Sequence, residues 1–160
     1  MNKKVLLMVQ AAMIAAIYVV LTFAANAFGL ANYAVQVRFS EALTILPFFT
    51  PAAIPGLFIG CLLSNILTGC ALPDIIFGSL ATLLGAFLTY KLRRYKWLAP
   101  VPPIVTNMIV VPPVLLYAYG IRPLWFSVVT VTAGEIISCG ILGMLLLFSL
   151  EKYRNRIFNQ

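Results

Sequence analysis

The chain has 160 residues, of which 62% are hydrophobic and only 9% are charged. Ordinary soluble domains carry roughly 25% charged residues, so this composition excludes a soluble globular protein and indicates an integral membrane protein. The formal net charge of +7 would in another context suggest a nucleic-acid partner.

The positions of the basic residues argue against that partner. Apart from Arg38 and Arg122, they lie in three short flanks of apolar segments: Lys3 and Lys4, the stretch KLRRYK from Lys91 to Lys96, and Lys152, Arg154 and Arg156. This is the pattern of the positive-inside rule. We therefore expect cytoplasmic N- and C-termini, a lipid bilayer as the environment and no nucleic acid.

Six apolar segments are recognisable, at approximately residues 5–28, 39–50, 52–70, 74–90, 100–119 and 124–150. A spanning helix needs about 20 residues, and segment 39–50 is short of that length. If the N-terminus and KLRRYK share one side, an even number of crossings separates them, so the short segment must cross as well. The sequence predicts a single all-α membrane domain, residues 1–160, with a bundle of about six transmembrane helices.

Two stretches of the sequence contain several prolines. Pro47, Pro51 and Pro55 fall within nine residues, and neighbouring helices in a membrane bundle can satisfy the backbone groups that they free. We predict a helical hairpin here, with the Thr50–Pro51 turn buried in protein. Segment 100–119 contains Pro102, Pro103, Pro112 and Pro113, which predict a kinked or partly unwound helix.

Small residues recur at four-residue spacing on the first predicted helix, in the pairs Ala11 and Ala15, and Ala12 and Ala16. Such faces permit close helix approach in lipid. Two interpretations stay open, a packing seam inside the bundle and a docking surface for another protein, and the sequence does not choose between the two alanine rows.

Ionisable residues inside membrane segments are costly and usually face a partner or a cavity. Glu135 is the clearest case. With the expected topology, the polar residues that can converge on one outward-opening pocket are Arg38, Glu41, Asn65, Asp74, Asn107, Arg122 and Glu135. Flat walls for the pocket are expected from Tyr33, Phe39, Tyr117 and Trp125, although Trp125 also suits an interfacial aromatic belt and Asp74 a helix start.

The sequence lacks the motifs that are typical of several function classes. The chain has no histidine, and its three cysteines, Cys61, Cys70 and Cys139, have no metal-type spacing. There is no GxxxxGK[ST] phosphate loop and no nucleophile beside a base. We expect no enzyme activity, no metal and no cofactor, which leaves a substrate-binding membrane subunit, a proton-coupled carrier or a structural membrane protein.

The residues VRFSEALTILPFFTPAAIPGLFIGCLLSNILTG, followed by LPDIIFGSLATLLGA, resemble the QueT family of small membrane proteins. That resemblance implies a substrate-binding S component of an energy-coupling-factor (ECF) transporter for queuosine precursors. It also implies a coupling module of one membrane subunit and two ATPases, contacted by an alanine motif on the first helix, here Ala12-Met-Ile-Ala-Ala16.

The implied ligand is a deazaguanine, with an aminomethyl group that is protonated at neutral pH. Glu135 is suited to accept the adjacent ring N–H and amino donors of its guanine-like edge. Asp74 and Glu41 compete for the ammonium group. Asn107, Asn65 or Arg38 would donate to the ring carbonyl, and aromatic side chains would stack on the ring.

Overall fold

The computed structural model describes residues 2–29 and 37–153. Within these residues the chain forms six helices and no strand: α1 (Lys3–Ala27), α2 (Phe39–Phe48), α3 (Ala53–Leu67), α4 (Asp74–Lys91), α5 (Val101–Tyr119) and α6 (Leu124–Glu151). The prediction of an all-α protein with about six helices is confirmed, and the helix boundaries agree to within one turn. Tyr33, Arg154 and Arg156 lie outside the described residues.

Four helical segments are long and apolar enough to cross a membrane: Lys3–Ala27, Asp74–Lys91, Lys96–Tyr119 and Leu124–Glu151. Their outward faces carry exposed large apolar side chains, among them Met8, Val20 and Ile109. In water such continuous apolar surface would be unfavourable, whereas lipid tails accept it. The architecture is therefore that of a membrane protein.

The short second segment lies at the centre of the bundle. α2 winds as a 3₁₀ helix that contains Pro47 and packs against α1, α4 and α6. At about 2.0 Å of rise per residue, a 3₁₀ helix extends farther than an α-helix of equal length. Thr50, just beyond its end, is fully buried. Protein rather than lipid thus surrounds Pro47 and Thr50, as the sequence predicts, while Pro51 is half-buried and Pro55 is exposed.

α1 and α3 pack through small residues. A Cβ added at Gly56 would lie 2.7 Å from the Ala11 carbonyl oxygen, and one added at Gly60 would lie 3.1 Å from the Ala15 Cα. The two backbones approach this closely because neither glycine has a side chain. The Ala11/Ala15 row is therefore an internal seam, while Ala12 and Ala16 are exposed.

Irregular turns mark two of the long helices. α4 opens with a π-helical turn, Asp74–Gly78, and α6 contains another, Ile136–Leu142, directly after Glu135. Such π turns inside helices are frequent at functional sites. In α5, by contrast, the chain stays α-helical from Val101 to Tyr119 through both proline pairs, so this helix is not unwound, and the predicted alternative, a kinked helix, stays a prediction.

Side-chain contacts fix which ends of the helices lie together. Lys96 Nζ pairs with Glu151 Oε2 at 2.7 Å and lies over the Phe148 ring at 4.9 Å. At the same end, Thr50 donates to Gln10 Oε1 at 3.0 Å. The basic loop after α4, the start of α1 and the end of α6 therefore share one end of the bundle.

Candidate functional site

Three helices bring two carboxylates and an amide together in the middle of the bundle. α2 contributes Glu41, α5 contributes Asn107 and α6 contributes Glu135; these side chains are 2%, 4% and 8% exposed. The three residues are far apart in the sequence, and helix packing alone makes them neighbours. They form the inner cluster of the candidate site.

Both carboxylate oxygens of Glu135 already have a partner. Asn107 Nδ2 donates to Oε1 at 2.8 Å, and Cys139 Sγ donates to Oε2 at 3.1 Å. Cys139 lies one turn along α6, and its sulfur also approaches Thr44 Oγ1 at 3.3 Å. Asn107 thus bonds a buried carboxylate rather than helix backbone.

Glu41 has one engaged and one free oxygen. The Tyr18 hydroxyl of α1 donates to Oε1 at 2.5 Å. Among the described residues, none donates a hydrogen bond to Oε2, which is buried. An unsatisfied buried acceptor is unfavourable. A hydrogen bond from a ligand donor to this oxygen would therefore stabilise the bound state.

The inner cluster borders a small cavity of about 20 Å³, whose lining includes Arg38, Glu41, Asn107 and Glu135. A space of that size is near the minimum for one water molecule. Arg38 also lines a larger cavity of about 520 Å³. The two cavities meet at this half-buried guanidinium, which interacts electrostatically with Glu41 on one side and Asp74 on the other.

The larger cavity lies at the end of the bundle opposite the basic loop. Its polar lining includes Asn65 and Asp74, with Thr22, Asn26, Thr68 and Tyr119. Asp74 Oδ2 accepts a hydrogen bond from the Tyr119 hydroxyl at 3.4 Å, and that hydroxyl accepts one from the Ala71 amide at 2.9 Å. At this size the cavity falls within the range of small-molecule sites.

Six of the eight substrate-binding candidates line these two cavities: Arg38, Glu41, Asn65, Asp74, Asn107 and Glu135. The two aromatic candidates do not. Tyr117 is 86% exposed and Trp125 is 67% exposed, so both side chains face outward, and Arg122 is exposed as well. Trp125 occupies the start of α6, a position typical of an interfacial aromatic belt.

The donor set can be compared with that of a metal centre. Ligand atoms of Glu41, Glu135 and Cys139 all lie within 4.8 Å of one another. A guanidinium lines the same cavity, however, and an adjacent positive charge opposes a cation. The arrangement favours an organic ligand with N–H donors over a metal ion.

The sequence analysis did not identify Tyr18, Cys139 and Tyr119. These residues donate hydrogen bonds to Glu41, Glu135 and Asp74, respectively. A signal existed for Tyr18, because a tyrosine in an apolar helix usually buries its hydroxyl against a partner. A lone cysteine on α6 carries no comparable signal.

Comparison with known proteins identifies the family of this chain. A family profile described as "QueT transporter" matches residues 8–152. The chain is 36% identical over 94 residues to "Queuosine precursor transporter QueT" of Lactococcus lactis subsp. cremoris (strain MG1363). That alignment spans 56% of this chain and 55% of the relative, about half of its length. No solved structure matches the chain.

The profile covers most of the chain, including every helix that contributes to the two cavities. It describes transporters rather than enzymes, and the family resemblance seen in the sequence is confirmed. The chain belongs to the QueT transporter family.

Proposed function

We propose that this protein binds a queuosine precursor of the deazaguanine type and is the substrate-binding S component of an ECF-type importer. The observation that carries the proposal is the buried cluster of Glu41, Asn107 and Glu135 around the inner cavity of about 20 Å³, which shares Arg38 with the cavity of about 520 Å³. Membership of the QueT transporter family supports it, as does the relative named as a queuosine precursor transporter.

The chemistry of an aminomethyl-deazaguanine matches the two cavities. Its ring N–H and amino group lie side by side, and carboxylates accept such donors in nucleobase recognition. We infer that the inner cavity, which has room for about one water molecule, widens on binding so that this edge reaches Glu135 together with Glu41. For Glu135 the ligand donors share or replace the hydrogen bonds from Asn107 and Cys139.

The remaining ligand groups then lie in the larger cavity, which we call the outer cavity. The ring carbonyl lies between the donor edge and the aminomethyl arm, and Arg38 lies between the two cavities. Arg38 donates to that carbonyl, with Asn65 nearby. Asp74 holds the ammonium group, since a buried carboxylate pairs well with a cation.

The orientation follows from the basic flanks. We infer that the end with Lys3, Lys4 and KLRRYK is cytoplasmic, together with both termini. The larger cavity lies at the opposite end, so it opens to the outside, where an importer captures its substrate.

The sequence has no GxxxxGK[ST] phosphate loop, so ATP-driven transport that uses this motif would draw its energy from other subunits. We infer an ECF coupling module of one membrane subunit and two ATPases. Its docking surface is the exposed Ala12/Ala16 row of α1, of which Ala12 lines an apolar groove of about 560 Å³ together with Ala11 and Ala15. Small residues there allow another helix to approach closely.

Two alternatives share the same cavities. An S component for another vitamin or nucleobase-like compound would keep the coupling module and change the ligand. A stand-alone proton-coupled carrier would use the buried carboxylates as a proton relay. The second alternative predicts uptake without any ATPase.

Calorimetry on the purified protein tests the ligand, with aminomethyl-deazaguanine, guanine and riboflavin as probes. We expect the tightest binding for aminomethyl-deazaguanine. Tighter binding of riboflavin would support an S component with another substrate. Uptake by the protein alone in liposomes under a pH gradient would support the carrier and contradict the S-component proposal.

A further inference from the structure

The two buried carboxylates differ in what they can still accept. Glu135 has a protein donor on each oxygen, from Asn107 and Cys139. Glu41 has the Tyr18 hydroxyl on Oε1, and no described residue lies at hydrogen-bond geometry to its Oε2, although the Asn107 amide is close enough to interact with this carboxylate. Both residues line the inner cavity.

This difference determines which carboxylate is the more favourable acceptor for a ligand donor. A donor that reaches Glu41 Oε2 satisfies a buried acceptor that otherwise has no partner. A donor that reaches Glu135 must share an oxygen with Asn107 or Cys139. Since an unsatisfied buried acceptor is costly, the net gain on binding is larger at Glu41.

The orientation of Glu41 depends on Tyr18, whose side chain is 1% exposed. Tyr18 packs against α3, where a Cβ added at Gly60 would lie 2.8 Å from the Tyr18 Cβ. This close packing limits movement of the phenol ring. The hydroxyl in turn fixes Oε1, and with it the direction of Oε2.

We propose that Tyr18 is a positioning residue that holds the Glu41 carboxylate so that Oε2 is the first acceptor for substrate N–H donors. The inference rests on the proposed function and deepens it, because it names the acceptor that selects a flat heterocycle with N–H or amino groups. Glu135 then accepts the second donor of the same edge.

A double-mutant cycle of Tyr18→Phe and Glu41→Gln tests this role, with binding of aminomethyl-deazaguanine measured by calorimetry. Tyr18→Phe keeps the ring and removes only the hydroxyl. We expect it to weaken binding about tenfold in the parent, the scale of one hydrogen bond to a charged group. In the Glu41→Gln background the effect should be smaller, because a neutral amide oxygen replaces the charged acceptor, and in Glu41→Leu, which has no acceptor, it should vanish.

Thr89→Val is the matched control. Thr89 is fully buried and donates to the Ala99 carbonyl near the basic end of the bundle, away from both cavities. Removing this hydroxyl should leave the affinity unchanged. If Glu41→Gln does not fold, Glu41→Leu supplies the background, since it removes the buried charge altogether.

The possible outcomes distinguish failure of the proposed function from failure of the proposed role of Tyr18. Absence of binding by the folded parent contradicts the proposed function and this inference with it. Binding by the parent with an unchanged affinity in Tyr18→Phe overturns this inference alone. So does an equal loss from Tyr18→Phe in both backgrounds, which would mean a structural role independent of Glu41.

Discussion

Asn107 donates a hydrogen bond to Glu135 Oε1 at 2.8 Å and so joins α5 to α6 in the interior of the bundle. The bond links residues from two helices that are each long and apolar enough to cross a membrane. It fixes the orientation of a carboxylate that would be unfavourable without a partner at this depth.

Glu135→Gln should weaken binding of aminomethyl-deazaguanine. The substitution keeps the side-chain volume but replaces one acceptor oxygen with an NH₂ group, which cannot accept from Asn107, Cys139 or a ligand donor. An unsatisfied buried polar group costs about 1–3 kcal/mol, so we expect at least that loss of binding free energy. Calorimetry measures it, and gel filtration checks that the variant is monodisperse.

Equal affinity of a folded Glu135→Gln variant would contradict a role for this carboxylate in ligand binding. Glu135 would then be an internal hydrogen-bond partner of Asn107 and Cys139 only. The ligand would have to be assigned to Glu41 and the outer cavity.

Asp74→Asn should discriminate between two ligands. If Asp74 holds the ammonium arm, the variant should bind aminomethyl-deazaguanine much more weakly and bind an uncharged methyl analogue with the same ring almost as well as the parent. A charge-assisted hydrogen bond is roughly twice as strong as a neutral one, which sets the direction of the difference. Competition binding with both ligands measures the ratio.

Tyr119→Phe is the companion variant, because the Tyr119 hydroxyl donates to Asp74 at 3.4 Å. It keeps the carboxylate charge and should change the ratio of the two affinities far less than Asp74→Asn. Equal losses for both ligands in Asp74→Asn would assign that residue a structural role at the start of α4.

Ala12→Trp or Ala16→Trp should block copurification with the coupling module and leave ligand affinity nearly unchanged. Both residues are exposed on α1, and an indole there holds two helix backbones apart without entering either cavity. Leu84→Trp, at a half-exposed position on α4, is the control and should copurify normally. Normal assembly of both alanine variants would exclude this face as the docking surface.

Gly60→Ala should destabilise the protein. The added Cβ would lie 2.8 Å from the Tyr18 Cβ and 3.1 Å from the Ala15 Cα, so α1 and α3 must move apart. Overpacking of this kind costs about 1–3 kcal/mol. Because Tyr18 must also shift, ligand affinity should fall together with the midpoint of thermal unfolding in detergent.

Gly140→Ala is the matched control for that variant. A Cβ at residue 140 would meet only Ile136 Cγ2, at 3.7 Å, an ordinary contact. An unfolding midpoint near that of the parent is expected. A parent-like midpoint in Gly60→Ala would contradict the close approach of α1 and α3.

The sequence by itself determined the membrane setting, the number of helices and their approximate bounds. This follows because a bilayer requires long apolar segments whose backbone hydrogen bonds are satisfied internally, and composition reveals such segments directly. The costly intramembrane carboxylate Glu135 and the buried proline-rich segment around Thr50 were visible for the same reason.

The tertiary structure decided which polar residues meet and which face lipid. Tyr18 reaches Glu41 across 23 residues of sequence, and Cys139 contacts the Glu41 carbonyl across 98. The sequence-based prediction included Tyr117 and Trp125 in the pocket, yet their side chains face outward. The direction of a side chain depends on how each helix is rotated against its neighbours, and that rotation is set by local packing such as the contact of Gly60 with Ala15.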